Sequence, residues 1–238
     1  MEFENNLLES IKTGLINKNI QSEIFLQPKI ITNNYAKKEK VLSTLDFLLQ
    51  ECDEFFFNVA FVTKSGVISL FNTLEKIEQL GIKGKILVSK YQNFSDPSAL
   101  RILLNFSNIE VRLIDENNFH AKGYLFKLKN SYELIVGSSN LTQDALSTNF
   151  EINVELNAHE QSKVIKEIKK VHQDYKNFSA LLTEEVIDAY EKDYKEIKKT
   201  FQKKQKNDDD TEDIIFRPNS MQTEAIDNLS KLREQNKD

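Results

Sequence analysis

The chain has 238 residues, 39% hydrophobic and 29% charged, with a formal charge of −5, which leaves room for one packed domain and an appendage and excludes a globally basic nucleic-acid binder. One cysteine, Cys52, excludes an internal disulfide and a cysteine-built zinc site, and it reads as a small buried hydrophobe. No apolar run approaches the ~20 residues that cross a bilayer, and the acidic start MEFENNLLES lacks the basic and apolar regions of a signal peptide, so a cytoplasmic protein without membrane contact is expected.

Apolar spacing predicts a first helix over Phe3 to Ile16 and a second over Ala36 to Gln50, with a short edge strand at EIFLQ before Pro28. FFFNVAFV, residues 55–62, reads as a strand buried on both faces. Thr63 to Gly66 then reads as a turn, followed by a helix from Val67 to Leu80 capped by Gly81. KILVS (85–89) and IEVRLI (109–114) are further strands, separated by a helix that Asp96-Pro97 opens. Strand and helix alternating at these intervals predict a parallel α/β core.

FHAKGYLFKLKN and ELIVG form the next two strands, residues 119–130 and 133–137. Alternation along the first would put His120 and Lys122 on one face. Past Gly137, Ser138, Ser139 and Asn140 lead into a short helix around QDAL, with Ser and Asn as caps. A helix start beside a His–Lys pair suits an anion. FEINVEL, residues 150–156, closes the sheet, with Phe150, Ile152, Val154 and Leu156 on one face and Glu151, Asn153 and Glu155 on the other. Residues 160–205 read as two Lys- and Glu-rich helices broken near Asn177-Phe178-Ser179, with His159, His172 and the lysines solvated. The charge run 206–213 reads as a linker, and no internal repeat is found.

These residues suit attack on a phosphodiester. A neutral imidazole is a nucleophile near pH 7, and Lys122 on the same face would offset the phosphate charge. Ser138, Ser139 and Asn140 would add neutral donors. Glu151 would accept from the far nitrogen of His120 and fix its tautomer. No metal or cofactor is needed. Lys64, at the end of the buried strand, is a further candidate for substrate binding, set against a plain turn. The loop YQNFSDP, residues 91–97, offers either an aromatic near the site or core packing for Phe94.

His120-Ala121-Lys122 with Gly137-Ser138-Ser139-Asn140 resembles the signature of the phospholipase D superfamily. The trailing Leu141-Thr142 and Asn149-Phe150-Glu151 resemble its single-motif nuclease branch. That resemblance implies a mixed, largely parallel sheet flanked by helices, a covalent phosphohistidine, and a second histidine as acid. With one motif present, it implies a homodimer in which two His120 rings meet. The family pattern has Asp where this chain has Lys127, which strand alternation turns away from the pair.

Residues 214–233, IIFRPNSMQTEAIDNLSKLR, are similar to the entry segment of DEAD/DEAH-type superfamily 2 helicases, with Gln222 as the residue that would touch the adenine of ATP. Together the two resemblances imply a nuclease-like domain over 1–158, a helical extension over 159–205, a linker over 206–213 and the start of a helicase domain over 214–238. DNA would be the substrate, and ATP would be bound only through a motor continuing past Asp238. Two rivals accompany this reading: a degenerate module that binds DNA and dimerises the helicase, and, more remotely, a lipid phosphodiesterase.

Overall fold

The computed structural model describes residues 28–208 apart from 91–93, 117 and 130, and side chains only as far as residue 197. The helix expected over Phe3 to Ile16, the strand at EIFLQ, and the tail with Gln222 lie outside the described residues.

Among the described residues, eight strands form one sheet in the order β1-β7-β6-β5-β2-β3-β4-β8. They are β1 (Lys29–Ile31), β2 (Glu54–Val59), β3 (Lys83–Ser89), β4 (Ile109–Ile114), β5 (Lys122–Lys127), β6 (Tyr132–Gly137), β7 (Asn153–Ala158) and β8 (Ser179–Leu181). The sheet is mixed and flanked by helices, as expected, but parallel pairing is confined to β2, β3 and β4. Every other pairing is antiparallel, because β5, β6 and β7 follow one another without a crossover helix long enough to return the chain.

The helices are α1 (Val41–Glu51), α2 (Lys64–Ser69), α3 (Phe71–Gln79), α4 (Pro97–Leu104), α5 (Gln143–Ser147), α6 (Lys163–Asn177) and α7 (Glu184–Asp208). The second expected helix begins only at Val41, whose N–H donates to Asn33 Oδ1 at 3.0 Å; residues 34–39 are spent on a tight turn. Thr63 caps α2 by accepting from Gly66 N–H, so the expected turn is already helix. The single helix expected from Val67 is divided at Leu70. Gly66 cannot carry a side chain, since a Cβ there would lie 2.2 Å from Leu141 O. That close approach ties α2 to the segment after β6. Gly81 takes φ +71° behind α3, as a C-cap glycine should. Asp96 caps α4 and Pro97 opens it.

Phe55, Phe57, Val59, Tyr124 and Phe126 put one face of the sheet into the main core under α1 to α4. Each such aromatic contributes about 1.5–3 kcal/mol by burial. Cys52 belongs to this core, and burial pushes its thiol up to about 12. The second face is covered by α6, whose Ile165 and Ile168 meet Leu125, Leu134 and Leu156. β8 pairs with β4, and Ile187 and Tyr190 of α7 enter the main core. The compact unit therefore runs on to Tyr194, and no break appears at residue 158. α7 continues to Asp208, past the expected start of the linker at 206.

One expectation about solvent exposure is reversed. His172 is buried, 6% exposed: its Nδ1 lies 2.9 Å from Asn58 Oδ1 on β2, and its ring meets Phe56 edge-on. Burial, with Lys85 and Lys176 nearby, lowers its pKa to about 4, so the ring is neutral. His159 is exposed, as expected. On β7 Asn153 and Glu155 are buried, at 1% and 8% exposure; of the alternate set, Ile152 and Phe150, which precede the strand, are 67% and 103% exposed, and Leu156 packs under α6. β7 itself begins only at Asn153.

Candidate active site

The site lies where β5 begins and β6 ends. His120 precedes β5 rather than lying in it. Phe119, 7% exposed, packs edge-on against Tyr175 of α6, with Ala121 and Leu87 completing a small cluster. These neighbours pin the segment to the second face and leave His120 exposed. Lys122 is the first residue of β5, and its Nζ lies 2.8 Å from His120 Nδ1 and 3.1 Å from His120 O. The pair therefore meets as expected, through a turn into the strand instead of strand alternation. Burial lowers the Lys122 pKa, and the nearby Glu151 carboxylate acts against that shift.

At the end of β6, Gly137 is required by close approach: a Cβ there would lie 2.3 Å from Ile152 O. Ser138 N–H donates to Ile152 O at 3.1 Å, its hydroxyl accepts from Ile152 N–H at 3.1 Å, and the same hydroxyl donates to Glu151 Oε2. Glu151 is thus held by Ser138, half-buried beside the Lys122 ammonium. Asn140 is 8% exposed; its Oδ1 accepts Phe61 N–H at 3.4 Å, which leaves its amide NH2 as the donor side. Phe94, half-exposed, packs on Phe61 with ring centroids 5.6 Å apart, so this aromatic borders the region.

Ser139 does not face the site. It is fully buried; its hydroxyl accepts from Asn153 Nδ2 at 2.9 Å, its N–H donates to Asn153 Oδ1 at 3.3 Å, and its carbonyl accepts Tyr124 OH at 2.9 Å. The Ser139–Asn153–Tyr124 group is a buried brace beneath Ser138 and Asn140. Burial raises the Tyr124 pKa, which keeps its hydroxyl a donor. Sequence reading missed Asn153 and Tyr124. The signal for Asn153 was its place on the same alternating face as Glu151.

Lys64 is exposed at the start of α2 and lines a recess of about 520 Å³ with Thr63, Ser65 and Gln143, separate from the His120–Lys122 contact. The helix cap expected from Ser and Asn is supplied by Thr142, which accepts from Ala145 N–H at 3.2 Å. Lys127 sits opposite Glu54 and Tyr132, at the far end of β5 from Lys122 and on its other face, as alternation requires. Among the described residues no group of three or more His, Cys, Asp or Glu gathers as a metal centre would need.

Residues 54–175, about half of the chain, match the family described as cardiolipin synthase, PLD-like domain. The chain belongs to the phospholipase D-like family. Among solved structures this phospholipase D-like fold is similar to NucT from Helicobacter pylori, with a TM-score of 0.53, 16% identity, and coverage of 66% of this chain and 99% of that one. It is also similar to the phosphatidylserine synthase of Haemophilus influenzae, with a TM-score of 0.52 and 14% identity over 72% of this chain and 45% of that one. Nuc of Salmonella typhimurium, a phospholipase D family member, matches with a TM-score of 0.47 and 18% identity over 66% of this chain and 99% of that one. A comparison with curated proteins yields no match. No helix among the described residues is long and apolar enough to cross a membrane.

Proposed function

We propose that the chain is a metal-independent phosphodiesterase of the phospholipase D type that hydrolyses DNA through a phosphohistidine at His120. The observation that carries this is the exposed imidazole 2.8 Å from a partly desolvated ammonium, beside a carboxylate held by Ser138. In the substrate-free arrangement the ammonium donates to Nδ1, which places the ring proton on Nε2. A phosphate drawing Lys122 to its non-bridging oxygens frees Nδ1, and solvent exchange moves the ring proton from Nε2 to Nδ1, where it is donated toward Glu151. Nε2 then presents its lone pair to phosphorus. The Nε2–P bond forms as the P–O bond to the leaving group breaks, and an acid protonates the departing alkoxide. Water, deprotonated by that same group, then attacks phosphorus, breaks the P–N bond and restores the imidazole. Asn140 and Ser138 would share the oxyanion load with Lys122.

The acid is His120 of a second copy. Among the described residues, the other histidines serve elsewhere: His172 is buried against Asn58, and His159 follows the end of β7 away from Glu151. Ile152 and Val136, 67% and 43% exposed, flank Ser138 and suit a contact between copies. The rival reading as a degenerate binding module rests on Lys127, and Lys127 lies on the other face of β5, at its far end. The helicase context rests on the sequence of residues 214–233 alone; on that reading the nuclease unit extends to Tyr194, and ATP belongs to the motor that Gln222 would serve.

The test is cleavage of DNA in excess EDTA. Activity should persist, and His120→Ala should lower it by at least about 1,000-fold without loss of thermal stability, because the side chain is exposed. Equal cutting by His120→Ala would end the reading.

A further inference from the structure

The turn between β1 and α1 is basic and aromatic, and it is closed by its own hydrogen bonds. Asn34 and Glu39 exchange backbone hydrogen bonds of 2.9 and 3.0 Å, Asn34 Oδ1 accepts Lys37 N–H at 3.1 Å, and Lys38 N–H donates to Tyr35 O at 3.2 Å. Lys38 takes φ +57°, a left-handed conformation that these bonds hold in place. The sequence across the turn, Tyr35-Ala36-Lys37-Lys38-Glu39-Lys40, has three cations to one anion and one aromatic ring, and that ring is 98% exposed.

A second ring lines the same cavity. Phe150 is 103% exposed and immediately precedes Glu151. The two segments are stapled together by Asn33, whose Nδ2 donates to both Ala145 O and Asn149 O at 2.9 Å. Tyr35, Phe150, Lys38, Lys40, Asn34 and Thr148 line one cavity of about 790 Å³. Two fully solvated rings add nothing to packing, yet both border one cavity that Lys38 and Lys40 also line, and Phe150 lies one residue from the carboxylate of the candidate site. Bases that are not stacked in a duplex offer such rings a flat π-face, while lysines hold the adjoining phosphates.

We propose that Tyr35 and Phe150 form a stacking platform for unpaired nucleobases beside the phosphate at His120 and Lys122, so that single-stranded nucleic acid is the preferred substrate. This rests on the reading of the site as a nucleic-acid phosphodiesterase. Lys37, Lys38 and Lys40 guide the backbone across the platform, and the bases of a duplex, covered by their neighbours, gain nothing from it.

Fluorescence anisotropy with a labelled, unstructured single-stranded oligonucleotide and with a duplex of equal length tests this in the full chain. The double variant Tyr35→Ala/Phe150→Ala should weaken single-strand binding by about tenfold or more and duplex binding by less than twofold. Tyr35→Phe/Phe150→Tyr should restore single-strand binding, since it keeps both rings. An equal loss for both forms, or none for the single strand, overturns the platform. So does sedimentation showing that the double variant has lost a dimer that the unaltered chain forms, because the rings would then belong between copies. If the unaltered chain binds neither form, the nucleic-acid reading of the site falls as well; if it binds and cleaves while the variant is indifferent, only the platform falls.

Discussion

Asn58 and Asn153 stand in similar settings in the sequence, each followed by Val within an apolar strand, and both are buried, at 4% and 1% exposure. The structure puts them to different uses. Asn58, on β2, meets His172 under α6, and this pair staples the covering helix to the second face of the sheet. Asn153, on β7, clasps both the N–H and the hydroxyl of Ser139, and so braces the turn that presents Ser138 and Asn140. A lone buried amide in a strand thus has no fixed meaning. What decides it is the element that packs opposite: a helix in one case, the candidate site's own loop in the other.

Breaking the brace should have the larger effect. Asn153→Ala strands the Ser139 hydroxyl and N–H in the interior, a loss of about 3 kcal/mol by chemical denaturation. Because the brace lies beneath Ser138 and Asn140, turnover per folded molecule should also fall by about tenfold or more. A normal turnover at reduced stability would make Asn153 another staple, and the contrast with Asn58 would disappear.

The staple should show itself in acid instead. The folded-state pKa of His172 is depressed to about 4 from an ordinary 6.5, so the unfolded chain binds the proton more readily. Its contribution levels off above pH 6.5, falls as the pH drops from there toward 4, and amounts to about 3 kcal/mol over that span. Lys85, Lys176, Glu110 and Glu54 also face the ring, with the lysines opposing its protonation and the glutamates favouring it. His172→Gln, which keeps an amide partner for Asn58 without a titrating group, should flatten this part of the stability–pH curve and leave turnover alone. An unchanged slope would mean that His172 does not titrate with unfolding.

Much of the architecture was legible because it is local. β4 is bounded as expected, Asp96 and Pro97 open α4, and Gly81 closes α3 with a positive φ. The His120–Lys122 contact was legible in outcome but not in cause. The strand starts only at Lys122, and the pairing depends on Phe119 finding Tyr175, a contact across more than fifty residues of chain. Which face of β7 is buried was not legible, because alternation says which residues share a face but not where that face points. The polar residues Asn153 and Glu155 are satisfied inside by Ser139 and Lys29. His172 was hidden for a related reason: a histidine on a lysine-rich helix looks solvated until Asn58 is placed beneath it.

The central claim is a covalent bond between phosphorus and the imidazole of His120. It is tested most directly by rapidly quenching the chain with a phosphodiester substrate under alkaline conditions, where phosphohistidine survives, and sequencing its peptides by mass spectrometry. The account predicts a phosphoryl adduct on the peptide carrying His120, formed within the time of one turnover in EDTA and absent from His120→Ala. Sustained turnover with no adduct at His120, or with the adduct on another residue, would contradict it.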